Sequence, residues 1–367
     1  MRTPAGPDSG TGWWRRSLSA LALVLVGALL GAGVTAWQTD SLPFVSSPCW
    51  DSVNSHDLDE ALGGWDTDDS DVWPSQSDQA ALTGQCRITS HDGDTDGRQI
   101  DVRVHQLGGL RSNNIAWSDE FLDSRLTPLG DGLVGMASDT RAWVALPSSC
   151  IRPGGVTGLG VVDVSMGEGE PSIGTTNDDR AATHRMALAR TAVDAANGAV
   201  AELGCPEADK LHEPGASAPL PNFQPLPVGD DLCGLAGLRL PKLYVRKGNL
   251  TRTSAGGSRH VRTCDIAVSP YAGQPELRLQ TIEDTSLIPA FQDAYLNGGP
   301  SIESTGAVTV DGTYSPTVAA VRVDCGSKGA VAFIAQERVH ERDYTFIRKT
   351  VPDYVSAEAE RLGCGTL

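Results

Sequence analysis

The sequence predicts an α+β protein made of two tandem disulfide-stapled units, each a mostly antiparallel sheet with packed helices, behind one N-terminal transmembrane helix. Two observations predict the duplication: the eight cysteines fall into two sets of four, and each set closes on the tripeptide Leu-Gly-Cys. A third observation, an uncharged apolar segment ahead of both sets, predicts the membrane helix. The first set is Cys49, Cys86, Cys150 and Cys205, and the second is Cys233, Cys264, Cys325 and Cys364.

The N-terminal segment has the length and the flanks of a single membrane span. Residues 17–36 carry no charge, and about 20 apolar residues match the roughly 30 Å hydrocarbon core of a bilayer. Two arginines precede the segment, which places the N-terminal side in the cytoplasm. The alternative is a signal peptide cleaved after the small residues 34–36. We expect a retained signal-anchor in the cell membrane, with the bulk of the chain extracytoplasmic.

The cysteines are expected to form disulfides. Their even number and regular spacing suit an oxidising compartment, whereas a metal-thiolate site would need Cys-x-x-Cys spacing, which does not occur. Four cysteines allow three pairings within a unit, and we favour first-to-second and third-to-fourth. Loops of this size would each contribute roughly 3–4 kcal/mol on the chain-entropy model.

The first unit, 49–205, is predicted to begin with a short helix around 58–62. Apolar residues then alternate on both sides of a turn at 91–97, which predicts a β-hairpin with one buried face. Two further strands follow at 142–146 and 158–164. Apolar residues at three- and four-residue steps predict an amphipathic closing helix. These residues are Met186, Ala189, Val193, Ala196, Val200 and Leu203.

The second unit, 229–367, repeats this order, with strands at 265–268, 277–279, 318–323 and 330–335 and a helix that begins near a proline. Six prolines lie between the units, and such a segment is a semi-rigid spacer that reaches up to about 70 Å if fully extended. The predicted divisions are a cytoplasmic tail (1–16), the signal-anchor (17–37), a juxtamembrane linker (38–48), the first unit (49–205), the Pro-rich linker (206–228) and the second unit (229–367).

Each unit places Cys-x-Ile on a strand after an early cysteine: Cys49 precedes Cys86-Arg87-Ile88, and Cys233 precedes Cys264-Asp265-Ile266. This pattern resembles the small extracytoplasmic domains of actinobacterial envelope proteins of unknown function, some of which adopt the PsbP-like α/β/α sandwich. The resemblance implies a location and a fold class, and it implies no catalytic residue. This chain departs from those domains in lacking a lipidation cysteine and in carrying two copies.

The equivalent inter-cysteine segments of the two units have opposite charge. Nine Asp or Glu and no Lys or Arg lie between the first two cysteines, whereas seven Lys or Arg and no Asp or Glu lie between Cys233 and Cys264. The two segments either face one another, face partners of opposite sign, or are independent solvated surfaces. An anionic envelope polymer would suit the basic segment if it is free. The candidate binding surface is Arg239, Lys242, Arg246, Lys247, Arg252, Arg259, Arg262, Asp66, Asp68, Asp69 and Asp71.

Two acidic motifs are candidate cation sites. Asp92, Asp94 and Asp96 match the front half of a calcium loop, but the twelfth position holds Arg103 instead of a bidentate glutamate, and the segment also suits a plain hairpin turn. The run 66–71 could hold a hard cation or meet a cationic partner, and its alternative is a solvated acidic loop. No cofactor other than calcium is expected.

Composition and motifs favour a binding role over catalysis. The net charge of −17 argues against nucleic-acid binding, because polyanions are held by clustered cations. The sequence has no Gly-x-Ser-x-Gly, His-Glu-x-x-His, phosphate-loop or dinucleotide motif. We expect a non-catalytic binding or scaffolding protein of the bacterial cell envelope. The alternative is a carboxylate-dependent envelope hydrolase in the first unit.

Overall fold

The computed structural model describes residues 47–64, 66–76, 82–92, 95–106, 126–151, 159–166, 179–206, 209–215, 224–225, 229–240, 251–255, 261–267, 275–285, 287–288, 301–302, 310–314, 317–337 and 346–365. The predicted signal-anchor at 17–37 lies outside these residues. Within the described part of the chain, no helix is long and apolar enough to cross a membrane. Residues 48–367 form one compact body.

The first unit contains a seven-stranded antiparallel sheet with the spatial order β1-β2-β3-β7-β6-β5-β4. Its strands are β1 (Asp66–Ser75), β2 (Thr83–Asp92), β3 (Thr95–Gln106), β4 (Thr127–Pro128), β5 (Gly135–Ala137), β6 (Arg141–Ala145) and β7 (Gly160–Met166). After a helical turn at Pro48–Asp51, helix α1 (Ser55–Leu62) precedes the sheet, and helix α2 (Asp179–Glu202) follows it. Both helices share one hydrophobic core with the sheet.

The second unit contains an eight-stranded antiparallel sheet with the order β12-β13-β14-β15-β11-β10-β9-β8. Its strands are β8 (Gln224–Pro225), β9 (Thr251–Ala255), β10 (Val261–Ala267), β11 (Leu277–Ile282), β12 (Ser301–Ile302), β13 (Val310–Tyr314), β14 (Val318–Asp324) and β15 (Ala330–Glu337). Helix α3 (Val351–Leu362) follows a π-helical turn at Phe346–Thr350 and packs on one face of this sheet.

The two sheets have the same connectivity, so the repeat read from the cysteines extends to the strands. Strand β1 corresponds to β9, β2 to β10, β3 to β11 and β7 to β15, and the second sheet adds β8 outside β9. The predicted α+β class with two antiparallel sheets is confirmed. The disulfides follow the favoured pairing, first-to-second and third-to-fourth in each unit: Cys49–Cys86, Cys150–Cys205, Cys233–Cys264 and Cys325–Cys364.

The acidic run at 66–71 is strand β1, so its interpretation as a loop is wrong, although its aspartates are solvated. Asp66 pairs with His91 of β2, and the antiparallel register continues to Val72 opposite Gln85. The backbone of β1 pairs with β2 along one edge, while its aspartates remain in solvent. An edge strand can therefore be built from residues that are rare in sheets, because little of its side-chain surface has to be buried.

Parts of both sheets are buried on two faces, whereas the sequence predicted that only one face of each sheet is buried. In β6, Ala142 and Val144 contact the core that contains α2, while Trp143 between them belongs to a second apolar cluster. That cluster also contains Ala332 and Ile334 of β15. Successive side chains of a strand point to opposite faces. The two sheets therefore pack against each other through the faces opposite their helices, in the layer order α-β-β-α.

The inner faces also carry buried charges. Asp163 of β7 is fully buried, and a carboxylate oxygen lies 2.5 Å from Nη2 of Arg103 on the neighbouring strand. Asp265 and Arg278 form a second buried pair across β10 and β11. These pairs lie on the same faces as the apolar cluster, so the contact between the sheets has both apolar and charged parts.

The Pro-rich segment is not a free spacer over its whole length. Residues 211–215 bond to the first unit: the backbone N–H of Leu211 donates to Asn197 on α2, and that of Gly215 donates to the carbonyl of Leu129. At its other end, β8 pairs with β9. Only eight residues separate these anchors, so the span available between them is about 30 Å at most.

Candidate binding site

A cleft of about 380 Å³ lies in the first unit between α1, α2 and the segment after residue 211. The N-terminal cap of α1, two short stretches of α1 and α2, and the start of the Pro-rich segment form its walls. The cleft is lined by Asn54, His56, Asp57, Glu60, Arg190, Val193, Asp194, Glu213 and Pro214.

Local helix geometry places the acidic side chains together. The side chain of Asn54 caps α1 by accepting from the backbone N–H of His56 at 2.9 Å. Residues three or four positions apart in a helix lie on one face, so Asp57 and Glu60 of α1 point the same way. Arg190 of α2 joins them: its Nε donates to Asp57 at 2.6 Å, and its Nη2 donates to Glu60 at 2.5 Å.

The start of the Pro-rich segment is held beside the cleft by two hydrogen bonds between the side chain of Asn197 and the backbone of Leu211. The Asn197 side chain accepts from the N–H of Leu211 at 2.7 Å and donates to its carbonyl at 3.0 Å. The ring of His212 lies 2.7 Å from the carbonyl oxygen of Asp131. These bonds hold the next residue, Glu213, beside the cleft, so four carboxylates surround one guanidinium.

Electrostatic repulsion and burial both act on the carboxylates. Burial raises the pKa of Asp57, and the bond and charge of Arg190 oppose that rise. Burial raises the pKa of Asp194 to about 6, and the charges of Asp57 and Glu213 add to the rise. A bond from the backbone N–H of Asn54 works in the other direction, because it favours the ionised carboxylate.

Replacing Asp194 by Asn is expected to change how stability depends on pH. Because the folded-state pKa is raised, the folded protein binds more protons than the unfolded chain between pH 4 and 6, and stability is lost as the pH rises through that window. The Asp194→Asn variant should not lose this stability as the pH rises. It should therefore gain stability relative to the parent protein on going from pH 4 to pH 7, by at most about 2 kcal/mol because solvent screens the partly exposed carboxylate.

Urea denaturation of both proteins at pH 4 and pH 7 measures this difference. Glu202→Gln is the matched control, since Glu202 is an exposed residue at the end of the same helix. If the stability difference between Asp194→Asn and the parent is the same at both pH values, the raised pKa is wrong.

The four predicted aspartates of the candidate binding surface all lie on β1. Asp66, Asp68, Asp69 and Asp71 are exposed. An oxygen of Asp68 lies 3.3 Å from Nε2 of His91, and Asp71 accepts from the backbone N–H of Trp50 at 3.4 Å. The strand brings the four together along one sheet edge, apart from the residues that line the cleft.

The predicted basic residues fall into three groups. Arg239 lies 3.1 Å from Asp231, and Arg262 donates to the carbonyl of Cys233 and lies 3.5 Å from Glu358. These two have partners within the second unit. Arg252 is placed on β9 by its backbone. The proposed docking of the basic segment on the acidic one stays a prediction, because Lys242, Arg246, Lys247 and Arg259 lie outside the described residues.

The calcium motif coincides with the β2–β3 turn. Asp92 pairs with Thr95, so residues 93 and 94 connect the strands, and Asp96 pairs with His91. Asp94 and the side chains of Asp92 and Asp96 lie outside the described part of the structure, so the calcium site stays a prediction. Among the described residues, no group of three or more His, Cys, Asp or Glu side chains is arranged to hold a metal ion.

Sequence reasoning missed the cleft. The spacing of Asp57 with Glu60 and of Arg190 with Asp194 is a signal that each pair shares a helix face. What the sequence does not contain is the contact between the helices, which joins residues more than 100 positions apart.

No protein-family model, no curated protein and no solved structure matches this chain.

Proposed function

We propose that the chain is a non-catalytic binding or scaffolding protein of the bacterial cell envelope, held at the cell membrane through residues 17–37, and that the cleft of its first unit binds a cationic group. The four disulfides support an extracytoplasmic location, because such bonds persist in oxidising compartments. The anchor is inferred from the sequence.

The observation that carries the binding role is the imbalance of charge in the cleft. Arg190 already bonds Asp57 and Glu60, while the carboxylates of Asp194 and Glu213 lie beside them with no second guanidinium or ammonium among the residues that line the cleft. A cation 4 Å from one carboxylate near a protein surface gains about 4 kcal/mol of Coulomb energy. A primary amine is the group that would gain most here, because it is compact and carries three donors.

Isothermal titration calorimetry with 1,5-diaminopentane as the probe tests this proposal. The diamine should bind, and 1-pentanol, which has the same carbon chain without the charge, should not. Asp194→Asn should weaken diamine binding by about tenfold, a change of about 1.4 kcal/mol. Glu202→Gln, which removes the same charge from an exposed site on α2, should change the affinity by less than about twofold. Equal weakening by the two variants would contradict binding in the cleft.

A carboxylate-dependent hydrolase is the second candidate, and one observation favours it. A carboxylic acid whose pKa is raised to about 6 in a cleft is suited to general acid catalysis near neutral pH. If the cleft is catalytic, Asp194→Asn should abolish turnover of a panel of nitrophenyl glycosides and esters, with one limb of the pH–rate profile near pH 6. Turnover that survives the substitution would reject this candidate.

A further inference from the structure

Strand β1 forms a long edge of the first sheet. It extends over ten residues, and among the residues that the structure describes it pairs with β2 alone. An edge strand presents a row of backbone N–H and C=O groups that can pair with a further strand. The outer side of β1 is therefore able to accept an extended segment.

The second unit shows the same edge in a paired state. Its equivalent strand, β9, pairs with β10 on one side and with β8 on the other. In that pairing Gln224 lies opposite Arg252, and Pro225 lies opposite Thr251, in an antiparallel register. The fold thus accepts an additional antiparallel strand at this position, and the first unit has the same sheet order up to that point.

The side chains of β1 indicate what kind of segment would fit. Side chains alternate between the faces of a strand, so Asp66 and Asp68 lie on one face and Asp69 and Asp71 on the other. All four are exposed. A strand added beside β1 would place its side chains next to aspartates on both faces. Opposite charges at neighbouring cross-strand positions stabilise a sheet, which favours lysine or arginine on the added strand.

An alternative role for the aspartates is to prevent aggregation, because charges on a sheet edge repel other strands. The residues that follow them on β1 do not suit that role. Val72 is 63% exposed and Trp73 is 48% exposed, and within the described part of the chain they are the exposed large hydrophobic side chains. Apolar surface at the end of a charged edge is typical of a contact site with a polar rim.

We propose that the outer edge of β1 binds an extended cationic peptide segment of a partner protein by strand addition. The main chain of the segment pairs with β1, its lysine or arginine side chains contact the aspartates, and two successive apolar residues cover Val72 on one face and Trp73 on the other. This surface is distinct from the cleft between α1 and α2, so the inference goes beyond the proposed amine site.

The probe is the synthetic eight-residue peptide Val-Val-Lys-Thr-Lys-Lys-Thr-Lys, added to the full chain. Paired antiparallel with residues 66–73, it places a lysine beside each of the four aspartates and the valines beside Val72 and Trp73. Hydrogen–deuterium exchange should slow at the backbone amides of β1, and fluorescence anisotropy of the labelled peptide should give a dissociation constant that rises with salt. Substituting Asp66, Asp68 and Asp69 together by Asn should weaken binding by about tenfold. The matched control removes three exposed charges from the second unit and should change the affinity by less than about twofold: Asp311→Asn, Asp353→Asn and Glu360→Gln.

A second peptide separates strand addition from simple charge attraction. It has the same sequence with every backbone amide methylated, so it keeps every charge and loses the N–H groups needed for pairing. Binding of the methylated peptide should be lost. Equal binding of the two peptides, or binding without slower exchange in β1, would overturn the proposal. Asp194→Asn should leave the affinity of the first peptide unchanged, which keeps this test independent of the amine site.

Discussion

Replacing Asp265 by Asn is expected to lower the free energy of unfolding by about 3–5 kcal/mol, because it removes the carboxylate charge from a buried ion pair with Arg278. The carboxylate of Asp265 bonds Nε of Arg278 at 2.9 Å and Nη2 at 3.1 Å. Their side chains are 3% and 4% exposed. The two residues are opposite each other in the register of β10 and β11, so backbone pairing fixes the geometry of this bidentate contact.

The first unit contains the matched control for this prediction. Arg87 and Asp101 occupy the equivalent strand positions, next to Cys86 and its register partner, with the charges exchanged. Their contact distance is similar, 2.8 Å, but the side chains are 49% and 20% exposed. Asp101→Asn should therefore cost less than about 1 kcal/mol. Urea denaturation of the two single variants measures both values, and equal costs would show that burial does not decide the strength of this pair.

Replacing Trp143 by Ala is expected to cost about 3–5 kcal/mol, since it removes a large side chain from a fully buried site and leaves a cavity. Trp143 belongs to the cluster that contains Ile282 of β11 and Ile334 of β15. Its loss should therefore weaken the contact between the sheets as well as the first unit. Thermal unfolding should separate into two transitions in this variant, because the apolar contact that couples the two units would be weakened.

Trp73 provides the control for the change of residue type. It lies on β1 with nearly half of its surface in solvent, so Trp73→Ala should change the free energy of unfolding by less than about 0.5 kcal/mol. The Trp73→Ala variant should also unfold in a single thermal transition. Two transitions in both variants, or in neither, would mean that Trp143 does not connect the units.

The parts of the fold that were predicted correctly depend on neighbours in the sequence. Alternation at Ile100, Val102 and Val104 identifies the β2–β3 hairpin, and three- and four-residue steps identify α2. The disulfide pairing follows the same logic, because each bond closes a loop of 31 to 55 residues within its own unit. Local patterns are sufficient for these features.

The parts that were missed depend on contacts between distant segments. Four aspartates in six residues argue against a strand, yet β1 forms because β2 supplies a partner for its backbone. The apolar runs of β6 and β7 gave no sign that a second sheet covers their outer face. The cleft required the approach of α1 to α2, and nothing in either helix alone specifies the other. The hydrophobic pattern of one segment does not specify which distant segment packs against it.

Two features determine where this protein can be divided into fragments. One is the set of hydrogen bonds that hold residues 211–215 to the first unit, and the other is the apolar contact between the sheets. A cut made at the predicted boundary, residue 206, would carry a wall of the cleft away with the second unit. A cut between residues 216 and 223 would preserve both anchors. Because each piece would then expose one half of a shared apolar surface, the two fragments should recombine when mixed, as in fragment complementation.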